Sequence, residues 1–333
     1  MVAAALDDPV RSRGMTEITA ATPAAAPVVA PAAQGLAFEG SSGGVTFHVE
    51  LDRSVLLPGQ LVNGRLVLRA EHDISARGVL VGLLAEEHWR HRVTERDANG
   101  NTSTHIVTST ADVLREPVQV HGPLRLAAGE TWQATFEQPV PAMGPATLAA
   151  DDAGLDWTFE ARLDIEGGFD ARVEREVVVA QPTALLRAGA VRVAEFALYE
   201  SVEITAEDVT AKIKLEPVPL ACGEPFSGRV ELSLPSSAKL QEIRAELRVE
   251  VEATVSEGEK EEITAWAAVL RPAGTYQGAV GLDLQGALDP RPLPTIELPH
   301  GRAQATFHVI LARAWAVDAH LVRDVAIATT TEL

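Results

Sequence analysis

From Gly44 onward apolar and polar residues alternate. The runs VTFHVELD (45–52), GRLVLRA (64–70), ARGVLVGLLA (76–85) and DWTFEARLDI (156–165) are short and rich in Val, Leu, Phe and Trp. Turn-forming pairs punctuate them: Pro58-Gly59, Asn63-Gly64, Asn99-Gly100 and Gly167-Gly168. The habit returns in TAKIKLEP (210–217), GRVELSL (228–234), EIRAELRVEVEATV (242–255) and AQATFHVILARAWAV (303–317). Good helix formers in 239–252 compete with this reading. Ile243, Ala245, Leu247, Val249 and Val251 nevertheless keep a period of two, which favours a strand. Many short strands without intervening helical patterns predict antiparallel β-sandwiches.

The pattern is also duplicated. VELDRSVLLPGQLVNGRLVL (49–68) and IKLEPVPLACGEPFSGRVEL (213–232) align at an offset of 164, matching Leu51 with Leu215, Gly59 with Gly223, Gly64 with Gly228, Arg65 with Arg229 and Leu68 with Leu232. Later stretches recur more loosely: 128–141 in 273–286, and LDWTFEARL (155–163) in AQATFHVIL (303–311). A repeat this long means two copies of a sandwich rather than a solenoid, and 333 residues suffice for two domains. The expected division is a disordered Ala/Pro-rich tail and linker over 1–43, a first sandwich over 44–182, a hinge over 183–192 and a second sandwich over 193–333.

Composition narrows the classes. A formal charge of −19 argues against nucleic-acid backbones and anionic membrane surfaces. One cysteine, Cys222, excludes an internal disulfide and a cysteine-based zinc cage, and a reducing, cytoplasmic setting is expected. Lysine occurs only at 212, 214, 239 and 260 while Arg and Ala abound, a coding bias of GC-rich bacterial genomes. In the tail, Glu17 and the prolines at 23, 27 and 31 oppose a signal peptide. No uninterrupted apolar run reaches membrane-spanning length.

Candidate chemistry is sparse. EEHWRH (86–91) with His105 suggests metal, but residues three apart on a strand face opposite ways, so His88 and His91 cannot easily share an ion. If a turn at 97–101 pairs the flanking strands, His91 faces His105 in a two-ligand arrangement at most; no metal and no cofactor are expected. GSSGG (40–44) lacks a Walker lysine and a following helix, so it reads as a linker. The acid pairs Asp151-Asp152 and Glu261-Glu262 read as solvated loop charge, Cys222 as an inert thiol, and the tryptophans as core.

The order of a strand, a PG-x4-G turn, a strand, a long hairpin, then GETWQATFEQPVP (129–141) and an aromatic-containing strand resembles the arrestin fold. Two copies over 44–330 are similar to bacterial arrestin-like proteins related to sporulation-control proteins and, more distantly, to the arrestin-like subunit of retromer. A generic pair of immunoglobulin-like sandwiches stays open beside this. The resemblance implies a non-catalytic adaptor that binds other proteins. It places the partner-entering hairpin at 94–103, with Arg96, Asp97, Asn99, Gly100 and Asn101, and its second-copy equivalent at 256–262, with Glu257, Glu259 and Lys260. The chain departs from animal arrestins in lacking a lysine cluster on TFHVELDRSVLL, a PPxY motif and an autoinhibitory tail. Two alternatives remain: a ligand- or metal-binding sandwich enzyme, and a structural protein that self-associates through edge strands, as a homodimer or longer assembly.

Overall fold

Alternation produces strands with one buried face. In β2 (Val45–Leu51), Val45, Phe47, Val49 and Leu51 are buried and the residues between them are only half covered. The computed structural model describes residues 35–97, 101–189, 191–194, 196–314 and 317–331. Besides β2, the first half contains β1 (Leu36–Ser42), β3 (Val55–Leu56), β4 (Leu61–Ala70), β5 (Ile74–Arg96), β6 (Thr102–His121), β7 (Leu124–Leu126), β8 (Thr131–Pro139), β9 (Ala153–Ile165) and β10 (Ala171–Val179). Helix α1 (Thr183–Arg187) follows. The second half contains β11 (Ser201–Ala206), β12 (Val209–Glu216), β13 (Leu220–Ala221), β14 (Pro225–Ala253), β15 (Lys260–Arg271), β16 (Gly274–Ala287), β17 (Ile296–Glu297), β18 (Gly301–Arg313), β19 (Ala319–Val325) and β20 (Ile327–Ala328).

The protein is all-β. In the first half a sheet ordered β1-β2-β4-β8 packs on one ordered β3-β10-β9-β5-β6, with Phe136 of β8 stacked on Phe159 of β9 at 5.6 Å between ring centroids. In the second half β14 runs through both layers: its start pairs with β12 and β16, its end with β15 and β18. A register shift between Leu234 and Ala238 separates the two stretches, so this single strand does the work of β4 and β5.

The duplication holds at the level of strand register. Leu51 opposes Gly64, and Leu215 opposes Gly228. Leu83 opposes Phe159, and Leu247 opposes Phe307. A parallel pair joins Leu56 to Val179, and its counterpart joins Leu220 to Ile327. Beside each parallel pair sits a buried threonine. Val179 N donates to Thr147 Oγ1 and Ile327 N to Thr295 Oγ1, both at 3.0 Å, while each threonine's own N–H donates back to the same partner's carbonyl. A short threonine hydroxyl here satisfies a backbone N–H that the two-residue strands leave over.

Gly59 and Gly223 take φ of 78° and 73°, which the turn requires. The later glycines serve close approach. A Cβ on Gly64 would lie 2.1 Å from the tip of the Phe136 ring, whereas one on Gly228 would lie 2.4 Å from the Lys214 carbonyl oxygen. A ring can tilt and a paired backbone cannot, so Gly228→Ala is expected to cost about 2 kcal/mol and Gly64→Ala about 1. Urea denaturation of both variants checks this, and the reverse order would refute the explanation.

Several expectations change. Asn63-Gly64 is no turn, because both residues lie inside β4, paired with Glu137 and Phe136. The linker expected before residue 44 begins with β1, which pairs with β2 along its whole length; its Leu36 and Phe38 are half-buried against the core, and GSSGG supplies the strand end and a Gly43-Gly44 turn. The rest of the expected tail, residues 1–34, lies outside the described residues. Residues 239–252 are strand, as their period of two implied. The run over 303–317 is strand to Arg313, and Trp315 lies outside the described residues. In the stretch read as a hinge, α1 buries Leu186 and Arg187 donates to the Val218 carbonyl at 2.7 Å. The segment entering β11 is held by Arg323, which is 3% exposed and donates to the carbonyls of Tyr199, Glu200 and Ile213. Burial pulls its guanidinium down to about 10. No described helix is long and apolar enough to cross a membrane.

Candidate functional site

The β5–β6 hairpin outruns its sheet. β9 stops pairing with β5 at Trp89, yet β5 and β6 continue together from Arg90–Thr108 to Arg96–Thr102. Those seven residue pairs make a two-stranded arm roughly 20 Å long. At its tip Arg96 and Asp97 are exposed, and Asp97 closes the loop: its N–H donates to the Asn101 carbonyl at 2.9 Å, and its carboxylate accepts from Asn101 N at 2.8 Å and Asn101 Nδ2 at 3.0 Å. Asn99 and Gly100, named from the sequence at this tip, lie outside the described residues.

The second predicted loop is placed differently. Where β9 ends, the turn after β14 takes its place beside β5. Arg92 N donates to the Glu257 carbonyl and Glu259 N to the Arg90 carbonyl, each at 2.9 Å, with Gly258 bridged to His91. Arg92 Nε adds a 2.6 Å bond to Glu259 Oε1. Glu257 and Glu259 therefore fasten the two halves together, and Lys260 turns back to Glu250 at 2.5 Å.

Most of EEHWRH serves this seam. The inward parity of β5 runs Val79, Val81, Leu83, Ala85 and then Glu87, all buried. Glu87 is 0% exposed; it accepts from His300 N at 2.8 Å and pairs with His300 Nδ1 at 2.9 Å, and Trp89 stacks on the His300 ring at 4.0 Å. A carboxyl at an inward position of an alternating strand was the sequence signal for this pair. Arg90 binds the Asp152 carboxylate at 3.0 Å, and Asp151 N donates to Glu261 Oε1 at 2.8 Å, so the acid pairs read as solvated loop charge meet here instead. Farther along, Gln181 and Thr329, equivalent residues of the two copies, exchange hydrogen bonds, and Gln181 Nε2 donates to the Thr295 carbonyl at 3.1 Å. Between the halves opens a groove of about 470 Å³, lined by Met143, Pro145, Leu185 and Leu298 together with the charged Arg192 and Glu297.

His91 and His105 do not oppose one another. The register sets Val93 against His105 and His91 against Val107, because the turn closes one step later than a direct pairing of the histidines needs. Among the described residues no three or more His, Cys, Asp or Glu converge as a metal site would require. His88 is occupied by Asp156 at 3.2 Å and by the Ala150 carbonyl. The hydrogen bond that the His88 ring donates to the Asp156 carboxylate raises the His88 pKa above its ordinary value, so the contact supports the fold below the ordinary histidine pKa and loses force as pH rises through that raised value. Burial pushes the Cys222 thiol up to about 11, which leaves little thiolate at neutral pH.

Residues 45–185 match the family model described as the N-terminal domain of arrestin (or S-antigen). The match runs from β2 to α1 and includes the projecting hairpin. A comparison with curated proteins returned no match.

Proposed function

We propose that this chain, whose sandwiches have the arrestin fold, is a non-catalytic adaptor that engages a protein partner through the tip of the β5–β6 hairpin. The observation that carries the reading is the outer part of the arm: the ladder holds Arg96, Asp97 and Asn101 beyond both the end of β9 and the seam contacts at Arg90 and Arg92, farther than the fastening of the two halves requires. Exposed loops on a rigid scaffold are where binding residues concentrate. The second-half turn, spent on the seam, supports the arm from behind at Arg90 and Arg92 rather than offering an equal surface. The setting we favour is the cytoplasm of a bacterium, in sporulation, stress or envelope regulation.

Glu95 and Ser103 are register partners, so residues 96–102 can be replaced by a two-residue Asn-Gly turn without disturbing the ladder. Recovery of at least one specific partner from source-organism lysate, measured by affinity purification and quantitative mass spectrometry, should fall about tenfold while the urea midpoint stays unchanged. Equal recovery of every partner would refute the assignment of the tip.

A further inference from the structure

The arm has an outer side as well as a tip. β6 ends its sheet and pairs with β5 alone, so over the arm its outward N–H and C=O groups have no ladder partner among the described residues. Natural edge strands of this kind are shortened, bulged, or guarded by Lys, Pro and inward-pointing charge. None of these occurs here: residues 102–111 read TSTHIVTSTA, with no Lys, Arg, Asp, Glu, Pro or Gly. The two register shifts in the β5–β6 ladder lie outside the arm, between Val79 and Leu80 and between Ala85 and Glu86. The corresponding strand of the second half, β15, opens with Lys260, Glu261 and Glu262. In a chain of net charge −19, an uncharged stretch of this length is where two copies can approach with least repulsion.

The stretch is also a near-palindrome. Outward from Ile106, TSTHIVTST reads Thr104, Ser103, Thr102 on one side and Thr108, Ser109, Thr110 on the other, with His105 facing Val107 as the one mismatch. An antiparallel pair of identical strands is isologous, so residue i meets residue j and j meets i. We propose that a second copy of this chain docks along β6, antiparallel and two-fold symmetric about Ile106. Thr102 then opposes Thr110, Ser103 opposes Ser109, Thr104 opposes Thr108, and Ile106 meets its own copy. Hydroxyl pairs of this kind are favourable across strands, and Ile106, 46% exposed in the single chain, gains an apolar neighbour. A nine-residue ladder falls short of a standard interface of roughly 1,600 Å², so the dimer is reversible and concentration-dependent. Of residues 96–102, replaced in the test of the tip, only Thr102 at the end of the ladder enters this pairing, so the adaptor reading stands or falls separately.

The two-fold makes Ile106 unlike its neighbours. In the full chain, Ile106→Cys should be oxidised to a disulfide-linked dimer, because only this position faces itself, while Thr110→Cys, which faces Thr102, should link far more slowly. The half-buried Cys222 is common to both variants and serves as the background. Sedimentation equilibrium should show the 35.4 kDa chain doubling its mass with concentration. Ile106→Glu should weaken that association about tenfold or more by opposing like charges. Thr104→Lys with Thr108→Glu in one chain should retain it, since each lysine then faces a glutamate. A monomer up to the solubility limit overturns the proposal. So does a dimer indifferent to Ile106→Glu, or one in which Thr110→Cys cross-links as fast as Ile106→Cys.

Discussion

Truncating His300 to alanine is expected to lower stability by about 3 kcal/mol, although the residue itself is half exposed. The cost falls on its partner. Glu87 has no contact with water, and its carboxyl oxygens are met by the His300 backbone N–H and ring nitrogen. Without the ring, one oxygen is left in a dry seam and Trp89 loses the surface it stacks on. Removing one partner of a buried pair costs several kcal/mol, whereas removing both relieves the orphaned group. Glu87→Ala combined with His300→Ala should therefore cost less than the two single losses added together. A double-mutant cycle in urea measures this. Strict additivity, or a cost below about 1 kcal/mol for His300→Ala, would show that the pair does not hold the seam.

Phe159→Ala and Phe307→Ala should each cost about 4 kcal/mol. Both rings are fully buried, and they hold equivalent places opposite Leu83 and Leu247. Phe159 sits between Phe136 and Phe38, and Phe307 stacks on Trp266 at 6.2 Å. Each truncation leaves an aromatic-sized hole in a core whose neighbours are fixed by strand pairing, so little of it can collapse. Chemical denaturation followed by tryptophan fluorescence reads both values. If either variant lost less than about 1 kcal/mol, the two sites would not be equivalent core positions.

The opening repeat was legible because its two copies share one offset over an unbroken stretch, from Leu51 and Leu215 to Leu68 and Leu232. The later match was fainter because the spacing changes: Phe159 and Phe307 lie 148 apart where Leu51 and Leu215 lie 164 apart, so 164 − 148 = 16 residues are missing from the second copy between them. Thr147 and Thr295 obey the second spacing, but a lone threonine one or two residues after a proline carries no detectable period. β1 was hidden by its neighbourhood, since LAFEGSS directly follows an Ala/Pro-rich stretch and only Leu36 and Phe38 mark its inner face. Asn63-Gly64 misled because its dipeptide chemistry is that of a turn, while the glycine is there to admit the Phe136 ring. The hairpin could be placed by position alone. The seam could not, because alternation describes what one strand buries and says nothing about which distant segment covers it.

Glu87 and His300 are 213 residues apart along the chain, and Gln181 and Thr329 are 148 apart. The entropy of closing such loops grows only logarithmically, so their length adds little to the equilibrium cost. The kinetic effect is larger, since a chain dominated by remote pairings folds slowly, over milliseconds to seconds. The β5–β6 arm can zip from its own turn, but the fastening at Glu87 must wait until β18 has formed. Until then Glu87 lacks the His300 groups that meet both its oxygens in the finished seam, so the two sandwiches reach this fastening late.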